Sequence, residues 1–399
     1  MESFGRLVYF HRKKQHKTQE TLCRGICSIT HLSKIENGSK EGSMETLSLL
    51  FERLGVELET EKSTIEEIKH LLQQFLESVL NMHEEKATHL FQQLHGREDF
   101  IACTNLAYIY ELYKLRYYLL MDQAALASVC IQNLEKSKRK FSQHETYLFQ
   151  YFFALYLIKE RKFTAALSIF KELQTTEHPA YLEASDFFYY KSLIYSHLHH
   201  SALAIHYANV ALKRFELDNN FFRMIDAQLL IAIQLTVNGQ YGEAEMLFDR
   251  LLNSSQLSKN GKRTAMILHN RGFLHNCQND CEKAIEYYKA SIRYSANSQN
   301  EWYIATLLNM ANIYIFTNEH QKAVEVLERV ERNIEMKGAN YIRFKISHYL
   351  IFRKMNKLKR FLDETAIPFL DENQHVFLLS EYQKKLTNDH HAVQEKIIY

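Results

Sequence analysis

An alanine that returns at a nearly fixed interval constrains this chain more than any other feature. With ERKFTAALSIFKEL, HHSALAIHYANVAL, NGQYGEAEMLFDRLL, QNDCEKAIEYYKASI and NEHQKAVEVLERV stacked, Ala166, Ala204, Ala244, Ala284 and Ala323 align, at intervals of 38, 40, 40 and 39 residues. Four residues later stands Phe170, Ala208, Phe248, Tyr288 or Leu327; twelve residues earlier stands Ala154, Ser192, Ala232, Gly272 or Ala311. A small residue followed one helical turn later by a large one lets two antiparallel helices approach and then fills the space between them. Each interval therefore predicts a helix pair, and such pairs bury their apolar faces only by stacking. Ala87 in EEKATHLFQQL and Ala125 in MDQAALASVC extend the series upstream, giving about seven units.

Composition supports helix nearly everywhere, since 399 residues include only 11 Gly and two Pro, the two residues least compatible with a helix interior. Pro179 falls at the end of a unit. Residues 341–399, with FKISHYLIFRKM and the amphipathic HVFLLSEYQKKL, predict a last degenerate unit and a cap. No window approaches the roughly 18 apolar residues of a membrane span, and MESFGRLVYFHRKK lacks the pattern of a secretory signal. A cytoplasmic protein without membrane contact is expected. Six cysteines scattered at 23, 27, 103, 130, 277 and 281 predict reduced thiols rather than a disulfide framework.

The first sixty residues are of another kind. Residues 1–40 carry eight Lys/Arg against Glu2, Glu20 and Glu36, a net +5, whereas the whole chain is only +2. A nucleic-acid footprint is thus confined to the start. Apolar residues at helical spacing (Phe4, Leu7, Val8 and Phe10; Leu22, Ile26, Leu32 and Ile35; Leu47, Leu50, Phe51 and Leu54) predict four or five short helices. Thr18 and Ser28 are placed to cap helices starting at Gln19 and Ile29, because a short hydroxyl side chain satisfies free N–H groups of a first turn. Arg24-Gly25-Ile26 supplies the turn between them. Two short helices joined in this way expose the start of the second, with Ile29, Thr30, His31 and Lys34, in the geometry that enters a major groove. From Val56 to Ser63 the periodicity lapses in VELETEKS, and Ser63-x-x-Glu66 reads as a capping box. A domain boundary is drawn there: residues 1–60, then 61–399.

T-Q-E-x-L, then L-S-K-I-E-N-G, then S-M-E-T-L resembles the helix-turn-helix of the Xre/Cro type of DNA-binding domain over residues 3–58. The resemblance implies that Gln19, Ser28 and Lys34, with Ser39 in a lesser role, lie near phosphates or bases, while Ile29, Thr30, His31 and Ser33 reach base edges. Leu22, Leu32 and Ile35 would be core. The turn is one residue shorter than usual, and Cys23 and Cys27 are expected as packed thiols. The alternative for this segment is a small helical dimerisation module. The repeats in turn resemble the tetratricopeptide repeat, stretched from its usual unit of about 34 residues, which implies an all-α, right-handed superhelical array.

In such an array the first helix of each pair lines a concave face suited to an extended peptide. Counted back fourteen and eleven places from each alanine, the inward positions are Phe152 and Leu155, Tyr190 and Leu193, Leu230 and Ile233, Asn270 and Phe273, Asn309 and Asn312. Asparagine amides both donate and accept, so Asn270, Asn309 and Asn312 can pair with a peptide main chain, with Tyr190 and Phe273 beside them. Arg271, His269 and His275 are candidates for a peptide carboxylate. The plainer alternative is that the asparagines hold adjacent helices together. No Gly-rich phosphate loop, zinc motif or nucleophile–base pair appears, so no enzyme, cofactor or metal is expected.

A Cro-like domain joined to a tetratricopeptide array resembles the RRNPP regulators of Gram-positive bacteria, the group of Rap, NprR and PlcR. The resemblance implies a homodimeric transcription regulator of quorum sensing that reads two half-sites of double-stranded DNA and binds a short signalling peptide. The alternative it implies is a Rap-like protein that docks and inhibits or dephosphorylates a response regulator or other phosphorelay protein. Residues 65–140 would dock it, with Gln73, Gln74, Gln92 or Gln93 orienting a water.

Overall fold

The computed structural model describes residues 4–175, 185–257, 261–295, 301–335 and 338–372, and among these residues it is helical without strands. Pro179 and the HVFLLSEYQKKL segment lie outside the described residues. The chain forms two compact units, Met1–Lys159 with Ile169–Thr175, and Glu160–Ser168 with Thr176–Tyr399.

The first unit begins with α1 (Phe4–Lys14), α2 (Gln19–Cys23), α3 (Ile29–Glu36) and α4 (Met44–Leu54). Leu7, Val8, Leu22, Leu32, Ile35, Leu50 and Phe51 are buried among them. Gly5 lets α1 lie directly on α3, since a Cβ there would stand 2.2 Å from the Ile35 carbonyl oxygen. The helix that follows, α5 (Leu58–Leu80), runs through residue 60. Ser63 therefore sits inside a helix and caps nothing; Glu57–Lys62 contains no breaker, so the helix starts earlier than a capping box at Ser63 requires. The S-x-x-E motif that does form the box is Ser142–Glu145 at the start of α10 (Gln143–Lys159), where the Ser142 N–H donates to Glu145 at 2.7 Å and the Glu145 N–H to Ser142 Oγ at 3.2 Å. One apolar cluster runs from Phe4 and Leu50 through Ile65, Phe75 and Leu90 to Tyr117. It joins the first four helices to α5, α6 (Glu84–His95), α7 (Glu98–Ile101) and α8 (Ala107–Leu120). Phe10 meets Phe100 edge-on at 5.6 Å, and His11 Nε2 lies 2.9 Å from Glu61.

Helix pairs then recur. Beyond α9 (Ala124–Ser137) and α11 (Phe163–Thr175) come α12 (Ser185–His197), α13 (Ser201–Leu217), α14 (Phe221–Val237), α15 (Tyr241–Leu257), α16 (Gly261–Cys277) and α17 (Cys281–Ser295). They are followed by α18 (Glu301–Phe316), α19 (His320–Glu331), α20 (Gly338–Ile351), α21 (Met355–Phe361) and α22 (Ile367–Glu372). The five aligned alanines are each fully buried, as are Ala154, Ser192, Ala232 and Ala311 twelve residues before their alanines. At Gly272 a Cβ would stand 2.7 Å from the Tyr288 ring, so the bulk of Tyr288 fixes a glycine across from it.

A second register, not read from the sequence, accompanies the first. Met82, Asp122, Arg161, His199, Gly239, Asn279, Asn318 and Arg353 all adopt left-handed backbone with φ between 51° and 76°. Each lies five residues before a buried position: Ala87, Ala127, Ala166, Ala204, Ala244, Ala284, Ala323 or Leu358. The N–H after the left-handed residue returns to the carbonyl five residues back, as in His83 to Ser78, Asp280 to His275 and Glu319 to Tyr314 at 2.8–2.9 Å. This closes the last turn of the first helix and reverses the chain. The register corrects one expectation: Ala125 is exposed and Ala127 is the fully buried alanine, which makes the upstream intervals 40 and 39 residues.

Candidate functional site

The N-terminal helices separate scaffold from surface. Arg12, 6% exposed, makes two bonds to the carboxylate of Glu36, also 6% exposed, at 2.5 and 2.7 Å, and donates to the Lys17 carbonyl at 2.9 Å. Gln19 Nε2 donates to the same carboxylate at 2.8 Å, so a residue read as a DNA contact is also a brace within the domain. The bond to Glu36 holds the already high pKa of Arg12 higher still. Arg53 donates to the carbonyls of Leu22, at 2.9 Å, and of Arg24, tying α4 to the end of α2. The caps form as expected: Thr18 Oγ1 accepts from the Thr21 N–H and Ser28 Oγ from the His31 N–H, both at 3.1 Å.

What remains outside is the first face of α3. Ser28, Ile29, Thr30 and Lys34 are exposed, Ile29 to 48%, and His31 and Ser33 are half-buried. Thr30 and Lys34, four residues apart, share one stripe, and Ile29 and Ser33 the next. A helix start with its partial positive charge, hydroxyls, a methyl-bearing side chain and a lysine together can approach a phosphate-lined groove and meet base edges. The basic charge of the first forty residues is therefore of two kinds: Arg12 is spent inside, while Lys13, Lys14, Arg24, Lys34 and Lys40 are exposed. The signal for the buried pair was present, since Arg12 and Glu36 continue the apolar stripes of Val8 and Leu32 with opposite charges.

In the second unit the first helices of successive pairs are linked by polar rungs about one repeat apart in sequence. Tyr190 Oη accepts from Arg223 at 3.1 Å, and Gln234 donates to Ser196 Oγ at 2.7 Å, between α12 and α14. Arg263 grips both oxygens of Asp226 at 3.0 and 3.2 Å, between α14 and α16. His269 Nδ1 lies 2.7 Å from Thr306 Oγ1, between α16 and α18. Arg343 donates to Asn309 Oδ1 at 2.5 Å, and Ser347 Oγ lies 2.8 Å from Asn312 Oδ1, between α18 and α20. Asn309 also donates to the Tyr288 hydroxyl at 3.2 Å, and Asn270, 7% exposed, donates to the Met266 carbonyl of its own helix at 2.8 Å. The residues chosen for a ligand thus carry internal bonds as well, and Thr306, Arg343 and Ser347 are partners that the fourteenth-and-eleventh rule did not single out.

Two parts of the expected groove are otherwise placed. Phe152, Leu155 and Leu230 are core, no more than 5% exposed. Tyr190, Leu193, Ile233, Phe273, Asn309 and Asn312 keep partial exposure. Arg271 is engaged by Glu245 and by Asp249 at 2.8 Å and lies over the Tyr287 ring at 4.6 Å, so its charge is already countered. Burial lowers the pKa of His275, which stacks on Tyr287 at 5.1 Å beside Glu245. Burial, helped by the charge of Arg343, lowers His269 to about 3, so this imidazole is neutral. Arg223 stays charged: burial opposes it, but Tyr190, Asp226, Asp186 and Tyr189 hold its pKa above the ordinary value.

Comparisons fit this division. Residues 10–60 match the helix-turn-helix family and residues 223–297 the tetratricopeptide-repeat family. The transcriptional activator NprA of Geobacillus stearothermophilus is 23% identical over 378 residues, 92% of this chain and 93% of that protein. Response regulator aspartate phosphatase I of Bacillus subtilis (strain 168) is 23% identical over 186 residues, 46% of this chain and 47% of that protein. Among solved structures, a Rap protein complexed with competence and sporulation factor has a TM-score of 0.66 at 17% identity, covering 81% of this chain and 97% of that one. NprR in complex with its cognate peptide NprX has a TM-score of 0.64 at 21% identity, covering 80% and 98%. At these identities the structures establish likeness of fold.

Proposed function

We infer that this chain, a member of the RRNPP regulators that join a helix-turn-helix to tetratricopeptide repeats, is a DNA-binding transcription regulator controlled by a short peptide. The observation that carries this reading is the pairing, in one chain, of an α3 surface left open by its own domain with a ladder of polar groups along the first helices of the repeats. The likeness to the activator NprA over 92% of the chain supports it. Residues 1–60 would read DNA through Ile29, Thr30, His31, Ser33 and Lys34, with Gln19 and Ser28 at the helix starts. Residues 61–399 would bind the peptide around Tyr190, Asn270, Phe273, Asn309 and Asn312, with Arg271 beside them. A homodimer presenting two helix-turn-helix domains to two half-sites completes the proposal, in the cytoplasm, where a peptide taken into the cell would meet it. No described helix is long and apolar enough to cross a membrane.

A peptide can control DNA binding only by favouring one of two arrangements of the protein. The test is direct: Thr30→Ala with Lys34→Ala should abolish sequence-specific binding to a duplex selected by the wild-type protein. Unchanged binding would refute the reading. The second reading, a phosphorelay-docking protein that removes or blocks phosphate, is favoured by the partial likeness to an aspartate phosphatase. Gln73, Gln74, Gln92 and Gln93 are all exposed on α5 and α6, where a docked protein could reach them. Accelerated loss of phosphate from a phosphorylated response regulator would establish that reading.

A further inference from the structure

His269 is fixed in a way that defines what it can offer a ligand. Thr306 Oγ1 lies 2.7 Å from the Trp302 carbonyl of its own helix, an acceptor only, so the threonine proton is spent there. The hydroxyl oxygen can then only accept from His269 Nδ1, 2.7 Å away. The imidazole is thereby locked as the Nδ1–H tautomer, with a lone pair on Nε2. The ring is held between Tyr288, at 5.6 Å, and Trp302, at 5.5 Å edge-on, which opposes the ring flip that would carry Nδ1 away from Thr306. Nε2 makes no hydrogen bond among the described residues. His269 is 8% exposed, so Nε2 is an acceptor with only a small accessible surface, one residue from Asn270 and one rung from Asn309. The same surroundings keep the ring uncharged, burial first and Arg343 second.

We propose that His269 Nε2 accepts an N–H of the peptide, a main-chain amide in an extended segment, and so acts as a register-fixing acceptor rather than as a cationic partner for a carboxylate. This rests on the peptide-binding reading above and adds a residue and a direction of hydrogen bonding to it. Thr306 is its positioning residue. An extended main chain offers N–H groups whatever its side chains, so a locked acceptor fixes the register of the bound strand without choosing its sequence. An ammonium or a protonated side chain is the competing donor class, and the experiment separates them.

The probes are synthetic heptapeptides tiled over any short reading frames that flank this gene, each also made with single N-methylated amides, titrated into the full chain by calorimetry. The expected result is that one N-methyl position weakens binding to the wild type about tenfold, in line with loss of a single hydrogen bond. In His269→Leu the parent peptide should bind about tenfold more weakly and that N-methyl group should cost nothing further. Thr306→Val keeps the histidine but releases its tautomer; it should show the same loss, and nitrogen NMR of the wild type should show the Nδ1–H form. Affinity should also be flat from pH 8 to pH 5, whereas a histidine that bound a carboxylate would tighten as it protonated. Wild-type binding with an unchanged His269→Leu affinity would overturn this inference and leave the peptide reading standing. Failure of every tiled peptide to bind the wild type would overturn both.

Discussion

The α3 surface and the first-helix ladder, the two surfaces proposed to meet partners, hold their polar groups in opposite ways. In the N-terminal helices, stability and the proposed recognition rest largely on different residues. Arg12, Glu36 and Arg53 hold the domain, while Ile29, Thr30 and Lys34 stand outside with no side-chain bond assigned to a structural task. In the repeats, on the proposed reading, one residue would serve both ends. Asn309 ties Arg343 to Tyr288, and His269 spends one nitrogen on Thr306 and leaves the other open. The difference teaches that a ligand entering the ladder, as proposed, would meet the same bonds that hold neighbouring repeats in register. The proposed DNA surface could be read without rearrangement, whereas a ligand in the ladder would compete with bonds between repeats.

The largest expected effect lies on the scaffold side of the first region. Glu36→Ala leaves the Arg12 guanidinium buried and unpaired and should lower stability by about 3–5 kcal/mol in urea denaturation, the cost typical of breaking a buried pair. Next comes Gly272→Ala, whose Cβ would press on Tyr288 at 2.7 Å. It should cost about 1–3 kcal/mol as overpacking, and Tyr288→Phe beside it would separate the clash from loss of the Asn309 bond. The third is a pH effect. Because His269 has its pKa lowered to about 3 when folded, the unfolded chain binds the extra proton between that value and the ordinary histidine value of about 6.5. The stability it contributes is complete above about pH 6.5 and is lost on acidification, by at most about 1.4 kcal/mol per pH unit. His269→Gln should flatten that part of the pH profile measured by thermal melting. The smallest effect on stability belongs to Thr30→Ala with Lys34→Ala, expected within about 0.5 kcal/mol of wild type despite the loss of DNA binding. A large destabilisation there would erase the contrast between the two regions.

What was legible in the sequence follows from how local the signal is. Thr18 and Ser28 act within one helical turn, and both caps were readable from residue type and position. The alanine register is almost as local, since Ala166 needs only Ala154 and Phe170 around it. It failed once, at Ala125, where MDQAALASVC offers three alanines and only the left-handed turn at Asp122 shows that Ala127 is in register. That turn went unread because only Gly239 among the eight left-handed positions is a glycine. The capping box at Ser63 failed because the motif alone does not say whether a helix has already begun. The ladder was half legible: Asn309 and Asn312 stood out as amides on a face otherwise apolar. Whether such an amide points to a ligand or to Arg343 and Ser347 depends on partners 34 and 35 residues away. Buried pairs such as Arg12 with Glu36 belong to the same class, non-local in sequence though marked by charges on apolar stripes.

The claim that joins the two regions is that peptide occupancy of the repeats alters DNA binding by the helix-turn-helix. The most direct measurement is the affinity of the full chain for a fluorescent duplex selected from random sequence by the protein itself, by anisotropy, with and without a saturating heptapeptide from the tiled set. The account expects the dissociation constant to change by about fivefold or more, the lower range of measured couplings between sites, and expects Asn309→Ala with Asn312→Ala to remove the change while leaving peptide-free DNA binding intact. A dissociation constant identical with and without a peptide that calorimetry shows to be bound would contradict it.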